Sequence, residues 1–146
     1  MTMREGQAID VLGDFFRIRF VRNPNIIFGF GSELPEFLRP VILVVFPVLA
    51  VILLVVFCIR AKDLKDVFRL PLAAIVGGGL GNLVDRMFRP EGVVDFLDFN
   101  FYGILGWNRF PTFNIADSSI TIGVSLIFII SVYHEIKRIR EKNKQA

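Results

Sequence analysis

Between Gly77 and Ile120, in a chain otherwise dominated by Val, Ile, Leu and Phe, the sequence concentrates Asn82, Asp85, Arg86, Asp95, Asn114 and Asp117. Polar side chains in or beside a membrane are costly, so a cluster of them marks a working site. The set contains no histidine and no cysteine. What it offers is paired-carboxylate chemistry. Two carboxyls held close together cannot both ionise cheaply, and they share a proton. One then activates water as a base while the other donates to a carbonyl or leaving group. Asp95 and Asp117 are the expected pair, forming a centre able to hydrolyse a peptide bond at a membrane surface.

The supporting residues each carry a structural alternative. Asn82, Asp85 and Arg86 fall on one side of a helix, three and four positions apart, so Arg86 can pair with Asn82 or with Asp85. The same trio could do no more than cap the end of a membrane span with an ion pair. Asn114 has the chemistry of a helix N-cap, and Asp117 then falls at the third helical position, where a carboxylate favours the dipole and the free amides. Capping alone would account for both. Favouring a joint site, the end of the second span, the following segment and the start of the third span all bring polar groups to one membrane face. Asp98, in the same VVDFLDF stretch as Asp95, is expected to face solvent.

The elements that must position these groups are membrane helices. Of 146 residues, 53% are hydrophobic, the mean hydropathy is +0.57, and the apolar residues are clustered. Val41 to Ile59 holds no charged residue. A run of this length is what a hydrocarbon core of about 30 Å requires of a helix. The fold class is therefore an α-helical integral membrane protein forming a single domain. Spans are expected at 40–59, 71–88 and 114–133, with a small sheet at the membrane face within 1–39, an extramembrane loop over 89–113 and a tail over 134–146.

In the first segment Phe16, Ile18 and Phe20 alternate with Arg17 and Arg19, the period of a strand. Asn23-Pro24-Asn25 is a turn signal, and the apolar run Ile26 to Phe30 would return as a second strand. Pro47 inside the first span is tolerated where neighbours satisfy the freed carbonyl. Gly77, Gly78, Gly79 and Gly81 allow close helix approach. The basic segments, Arg60 to Arg69 and Lys137 to Lys144, orient the chain: both should be cytoplasmic, with 89–113 and 1–39 on the outer face. Three spans then leave the N-terminus outside with no preceding helix to carry it there, so the expectation is that an initial helix is missing.

Several classes are excluded. The net charge of +3 comes from basic residues beside the spans, so no nucleic-acid partner is implied. Cys58 stands alone at the end of an apolar run and His134, the single histidine, near the end of another, so no metal site is expected. Met1 to Arg22 lacks the apolar core of a cleavable signal peptide.

GNLVDR at 81–86, GVVDF at 92–96 and FNIAD at 113–117 resemble three ordered motifs of bacterial lipoprotein signal peptidase, signal peptidase II. FVRNPNIIFGFG at 20–31 resembles an earlier motif of that family, matching at Asn23, Phe28 and Gly29, while Asn25, Ile26 and Ile27 replace its small residues. The resemblance runs from about Gly6 to Lys137. It implies that Asp95 and Asp117 are the catalytic pair, that Asn82 and Arg86 line the substrate site, and that Asn23 and Asn114 support it, with Asp85 beside them. It also implies an aspartic endopeptidase of the bacterial cytoplasmic membrane. The substrates would be prolipoproteins whose cysteine already carries diacylglycerol, cut just before that cysteine, with membrane lipid around the site and no cofactor. The family has four membrane helices, of which this chain matches the last three. The family's Asp and Lys after its first helix have no counterpart here. Two other readings remain at this point: a small transport or channel subunit using the same carboxylates as an ion path, and an inactive truncated homologue.

Overall fold

The computed structural model describes residues 3–25 and 34–145. In chain order it contains strands β1 (Ala8–Leu12) and β2 (Phe16–Asn23), a wide π turn over Val41–Val45 leading into helix α1 (Phe46–Arg60), helix α2 (Asp66–Phe88), strand β3 (Val93–Phe99), and helix α3 (Ile115–Gln145). The three apolar helices, over Val41–Arg60, Asp66–Phe88 and Ile115–Lys144, are long enough to cross a membrane. Their large apolar side chains point outward: Leu53, Ile59, Leu70, Phe88 and Phe128 are all exposed. That is the reverse of a water-soluble bundle and what a lipid solvent selects. These features confirm the integral membrane class.

The helix ends depart from the expected spans. α2 starts at Asp66, ahead of Pro71, because residues 66–70 carry no helix breaker and Asp66 supplies the first-turn acid that the dipole favours. α3 runs through the basic tail to Gln145 instead of ending at Tyr133. Its charges suit a helix there: Glu135 pairs with Arg138 and Glu141 with Lys137, and the terminal lysines oppose the negative end of the dipole.

α2 is the central helix, packing on α3 and less extensively on α1. Small residues set the approach. A methyl at Gly123 of α3 would come within 2.7 Å of the Pro71 carbonyl and of Ile75, one at Gly78 would run into Ala116 of α3, and one at Gly79 would lie 2.9 Å from Val51 of α1. Without a hydrophobic drive between helices in lipid, such close backbone contact supplies the association.

The sheet, in order β1-β2-β3, is antiparallel throughout. β2 is the expected strand, but its hairpin partner is β1, which precedes it. β1 shows no alternation of burial, all five residues being exposed, so its sequence carries no amphipathic signal. The run Ile26 to Phe30, including Phe28 and Gly29, lies outside the described residues. β3 comes from the segment expected as a loop and docks on β2 with Arg17 opposite Asp98, Val21 opposite Asp95 and Asn23 opposite Val93. A register shift between Ile18 and Val21 separates the two ends of this pairing. The segment after β3 folds back over it: Phe96 and Leu97 N–H both donate to the Phe113 carbonyl, and Phe110 N–H donates to that of Phe99. Phe99 stacks between Phe16 and Phe113, with centroids 4.7 and 5.9 Å away.

Candidate active site

The N-terminus of α3 is fixed by a reciprocal capping box. Asp117 N–H donates to Asn114 Oδ1 at 2.9 Å, and Asn114 N–H donates back to Asp117 Oδ2 at 3.3 Å. The capping expectation is thus met, yet it uses only one oxygen of Asp117. The other, Oδ1, accepts from Asn82 Nδ2 of α2 at 2.8 Å. Capping and site membership are therefore compatible, because a carboxylate at this position has an oxygen to spare.

Asp95 enters from β3. Its Oδ1 accepts from Asn114 Nδ2 at 2.8 Å and its Oδ2 from Asn23 Nδ2 at 3.0 Å. Asn114 Nδ2 also donates to Asn82 Oδ1 at 3.1 Å. A continuous chain of amides, Asn114 then Asn82, thereby links one carboxylate to the other. The amide orientations are set from behind. Asn23 Oδ1 is occupied by Asn25 N–H, and Asn114 Oδ1 by Asp117 N–H. With their oxygens committed, these side chains can only point NH2 groups at the carboxylates. Asp95 is 2% exposed, and Asn82 and Asn114 are also buried.

The approach of β3 depends on Gly92. Its φ of +104° is strained for any residue with a side chain, and a Cβ there would run into the Asn23 carbonyl. Asp85 secures the same strand, its Oδ2 accepting from Val94 N–H at 3.1 Å while Oδ1 pairs with Arg89 at 3.4 Å. Asp85 makes no hydrogen bond to the other candidate residues; it supports the position of Asp95 through the neighbouring peptide. Arg86 departs from expectation. It pairs with neither Asn82 nor Asp85, because Asp85 is taken by Arg89 and Val94; instead its Nη2 donates to the Asn25 carbonyl at 3.2 Å. Arg86 thus docks the Asn23-Pro24-Asn25 turn while its charge faces both Asp117 and Asp95.

The electrostatics of Asp95 suit proton sharing. Burial pushes its carboxyl above the usual range, the Asp117 charge adds to this, and the Asn23 and Asn114 hydrogen bonds and Arg86 counter it in part. A buried carboxyl raised in this way, beside a second one, has the properties of an acid–base pair.

Asp98 is a correction. Expected at the solvent face, it is 1% exposed, the most completely buried side chain among the described residues. Arg17 Nη2 and Arg109 Nη1 each donate to it at 3.0 Å. The reason is the fold-back of the segment after β3, which lays Arg109 over the face of the strand that Asp98 occupies. The alternation along β2 marks a strand, but nothing local identifies the carboxylate that Arg17 meets.

The groups brought together are therefore Asn23, Asn82, Asp95, Asn114 and Asp117, with Arg86 at the edge and Asp85 behind the strand. The carboxylates gather at one end of the helices instead of being spaced through them, which disfavours an ion path. The sequence profile of signal peptidase (SPase) II matches residues 1–133. A curated lipoprotein signal peptidase of Borrelia hermsii is 43% identical over 131 residues, covering 90% of this chain and 76% of the relative. One from Borreliella burgdorferi is 46% identical over 125 residues, covering 86% and 71%. Two solved structures of bacterial membrane enzymes, obtained by the in meso method, superpose with TM-scores of 0.74 and 0.71 at 33% and 34% identity, covering 90% and 88% of this chain and 74% and 77% of theirs. With the profile matched over most of its length and relatives at this identity, the chain belongs to the signal peptidase II family of membrane aspartic endopeptidases.

Proposed function

We propose that Asp95 and Asp117 are the catalytic dyad of an endopeptidase that removes signal peptides from diacylglyceryl-modified prolipoproteins, cutting before the lipidated cysteine. The observation that carries this is the amide chain from Asp95 through Asn114 and Asn82 to Asp117, which ties both carboxylates into one hydrogen-bonded unit.

In the reaction, a water between the carboxyls loses a proton to the ionised one as its oxygen attacks the scissile carbonyl carbon. The protonated carboxyl donates to the carbonyl oxygen, giving a neutral tetrahedral diol. A proton then passes to the amide nitrogen, the C–N bond breaks, and the products are a new carboxyl on the signal peptide and a new amine on the cysteine. Asn23 and Asn114 hold Asp95, Asn82 and the cap hold Asp117, and Arg86 supplies positive charge beside the pair. Arg86 also holds the 23–25 turn through the Asn25 carbonyl, beside which an extended substrate backbone would lie.

Orientation follows from charge. Arg60 to Arg69 and the end of α3 lie in the cytoplasm, and the sheet and dyad at the periplasmic face of the bacterial inner membrane. A lipid-anchored cysteine reaches such a site laterally, without leaving the bilayer. The test is cleavage by the purified protein of matched prolipoproteins with and without diacylglycerol on the cysteine. The modified one should be cut before cysteine and the unmodified one spared; equal cleavage of both overturns the substrate assignment. In a Cys58→Ala background, Ile104→Cys should react with an impermeant thiol reagent from outside the cell and Lys142→Cys should not, and the opposite pattern overturns the orientation.

A further inference from the structure

Asp98 is buried, ionisable and unused by the reaction described above. It connects three elements through two guanidiniums. Arg17 of β2 donates to Oδ2 from Nε at 3.3 Å and Nη2 at 3.0 Å, and Arg109 of the segment before α3 donates to Oδ1 at 3.0 Å. Arg109 reaches on to the turn between β1 and β2, donating to the Asp14 carbonyl at 2.8 Å and to its carboxylate. Asn100 closes the other side, its N–H donating to the Phe15 carbonyl at 2.8 Å.

The three elements so joined are those that carry Asn23, Asp95 and Asn114. Arg17 is on the strand of Asn23, Asp98 on the strand of Asp95, and Arg109 leads through Phe113 to Asn114. Phe113 is itself locked to β3 by the paired bonds with Phe96 and Leu97. One register between β2, β3 and this returning segment therefore sets both hydrogen bonds that Asp95 receives.

A buried ion pair is a poor source of net stability, since apolar residues of similar volume often do as well. It does specify one arrangement over a slipped one. In a sheet where β2 already carries a register shift between Ile18 and Val21, slippage is the hazard to guard against.

We infer that Asp98, Arg17 and Arg109 form a registry clasp that positions the dyad, with Asp98 a positioning residue for the reaction. This rests on the assignment of Asp95 and Asp117 as the dyad. A slipped register withdraws Asn23 and Asn114 from Asp95. The charged groups facing Asp95 are Asp117 from α3 and Arg86 from α2; β2 faces it with the neutral Asn23. Asp95 is the carboxyl that burial pushes up, so without the two amides the pair's higher apparent pKa rises and the alkaline limb of the rate profile moves to higher pH.

The experiment is the pH profile of kcat on the modified prolipoprotein for wild type, Asp98→Asn and Arg109→Lys. The lysine variant keeps a cation that reaches Asp98 but loses the second arm to Asp14, so it remains folded should Asp98→Asn not. Expected are a kcat at least about tenfold lower and an alkaline limb displaced upward by about half a unit or more in the folded variants, Arg109→Lys showing the smaller effect. Loss of folded enzyme lowers kcat without moving the limb, so an unmoved limb in both variants, or in Arg109→Lys when Asp98→Asn does not fold, overturns the clasp. Parallel assays of Asp95→Asn and Asp117→Asn separate the two claims: full activity there removes the dyad itself, whereas inactivity there with an unmoved limb removes only the clasp.

Discussion

Asp95 and Asp98 sit three positions apart on one strand, both almost fully buried, and their surroundings differ in kind. Odd spacing sends them to opposite faces of β3. Asp95 turns toward the helices and meets neutral amides from Asn23 and Asn114, with a second carboxylate nearby. Asp98 turns toward the returning segment and meets two guanidiniums at 3.0 Å. Amide donors hold a carboxylate in place while leaving its proton affinity open to adjustment by burial. Guanidiniums bring fixed countercharge, which suits a structural joint. On the proposed assignment, the chain builds a reactive acid and a structural one from the same residue type, distinguished by which donors the fold supplies.

If that distinction holds, the largest effect short of the dyad itself belongs to the residue that donates to Asp95 from the other side of the site. Asn114→Ser keeps an oxygen able to cap α3 but loses the NH2 that reaches Asp95 and Asn82. Turnover should fall by about 10²-fold, the usual scale for removing one donor from a preorganised site, with little change in melting temperature. Near-wild-type turnover would show that the amide chain is dispensable.

The next effect is on stability and should separate the two aspartates. Asp98→Asn leaves two part-buried guanidiniums without their countercharge, at a cost of about 2–4 kcal/mol by thermal or denaturant unfolding in detergent. Asp95→Asn removes the burial cost of a charge and loses one acceptor worth about 1 kcal/mol, so its net change should stay within about 1 kcal/mol. Asp95 follows the pattern of a carboxyl raised in the folded state: its contribution is most favourable below the unfolded pKa and is lost as pH rises through the folded one. The difference between wild type and Asp95→Asn should therefore favour the variant more at neutral than at acidic pH. Equal destabilisation by both substitutions would erase the contrast.

The sequence shows the helices and most of the site because both leave local marks. Long apolar runs place three spans within a few residues, and Asn114 with Asp117 displays a capping signature at fixed spacing. What stays hidden depends on pairing over distance. β1 has no apolar alternation because neither of its faces is buried. The partner of Arg17 is Asp98, 81 residues away, and only the strand register selects it. Spacing alone points Arg86 to its helical neighbours, but Arg89 and the Val94 N–H satisfy Asp85, leaving Arg86 to the Asn25 carbonyl. The helices run past the expected spans where charge pairs and dipole effects, which hydropathy does not register, extend a helix beyond the apolar run.

The central claim is that two carboxylates act as one unit, and it is tested most directly by cleavage of a diacylglyceryl-modified prolipoprotein, followed by gel shift, with Asp95→Asn, Asp117→Asn and the double variant. Each single substitution should lower turnover by at least about 10³-fold while the protein remains folded and membrane-inserted, and the double variant should be no slower than the worse single one, since members of a catalytic unit do not contribute additively. Either single variant cleaving at more than about a tenth of the wild-type rate, or a double variant slower by the product of the two losses, would contradict the account.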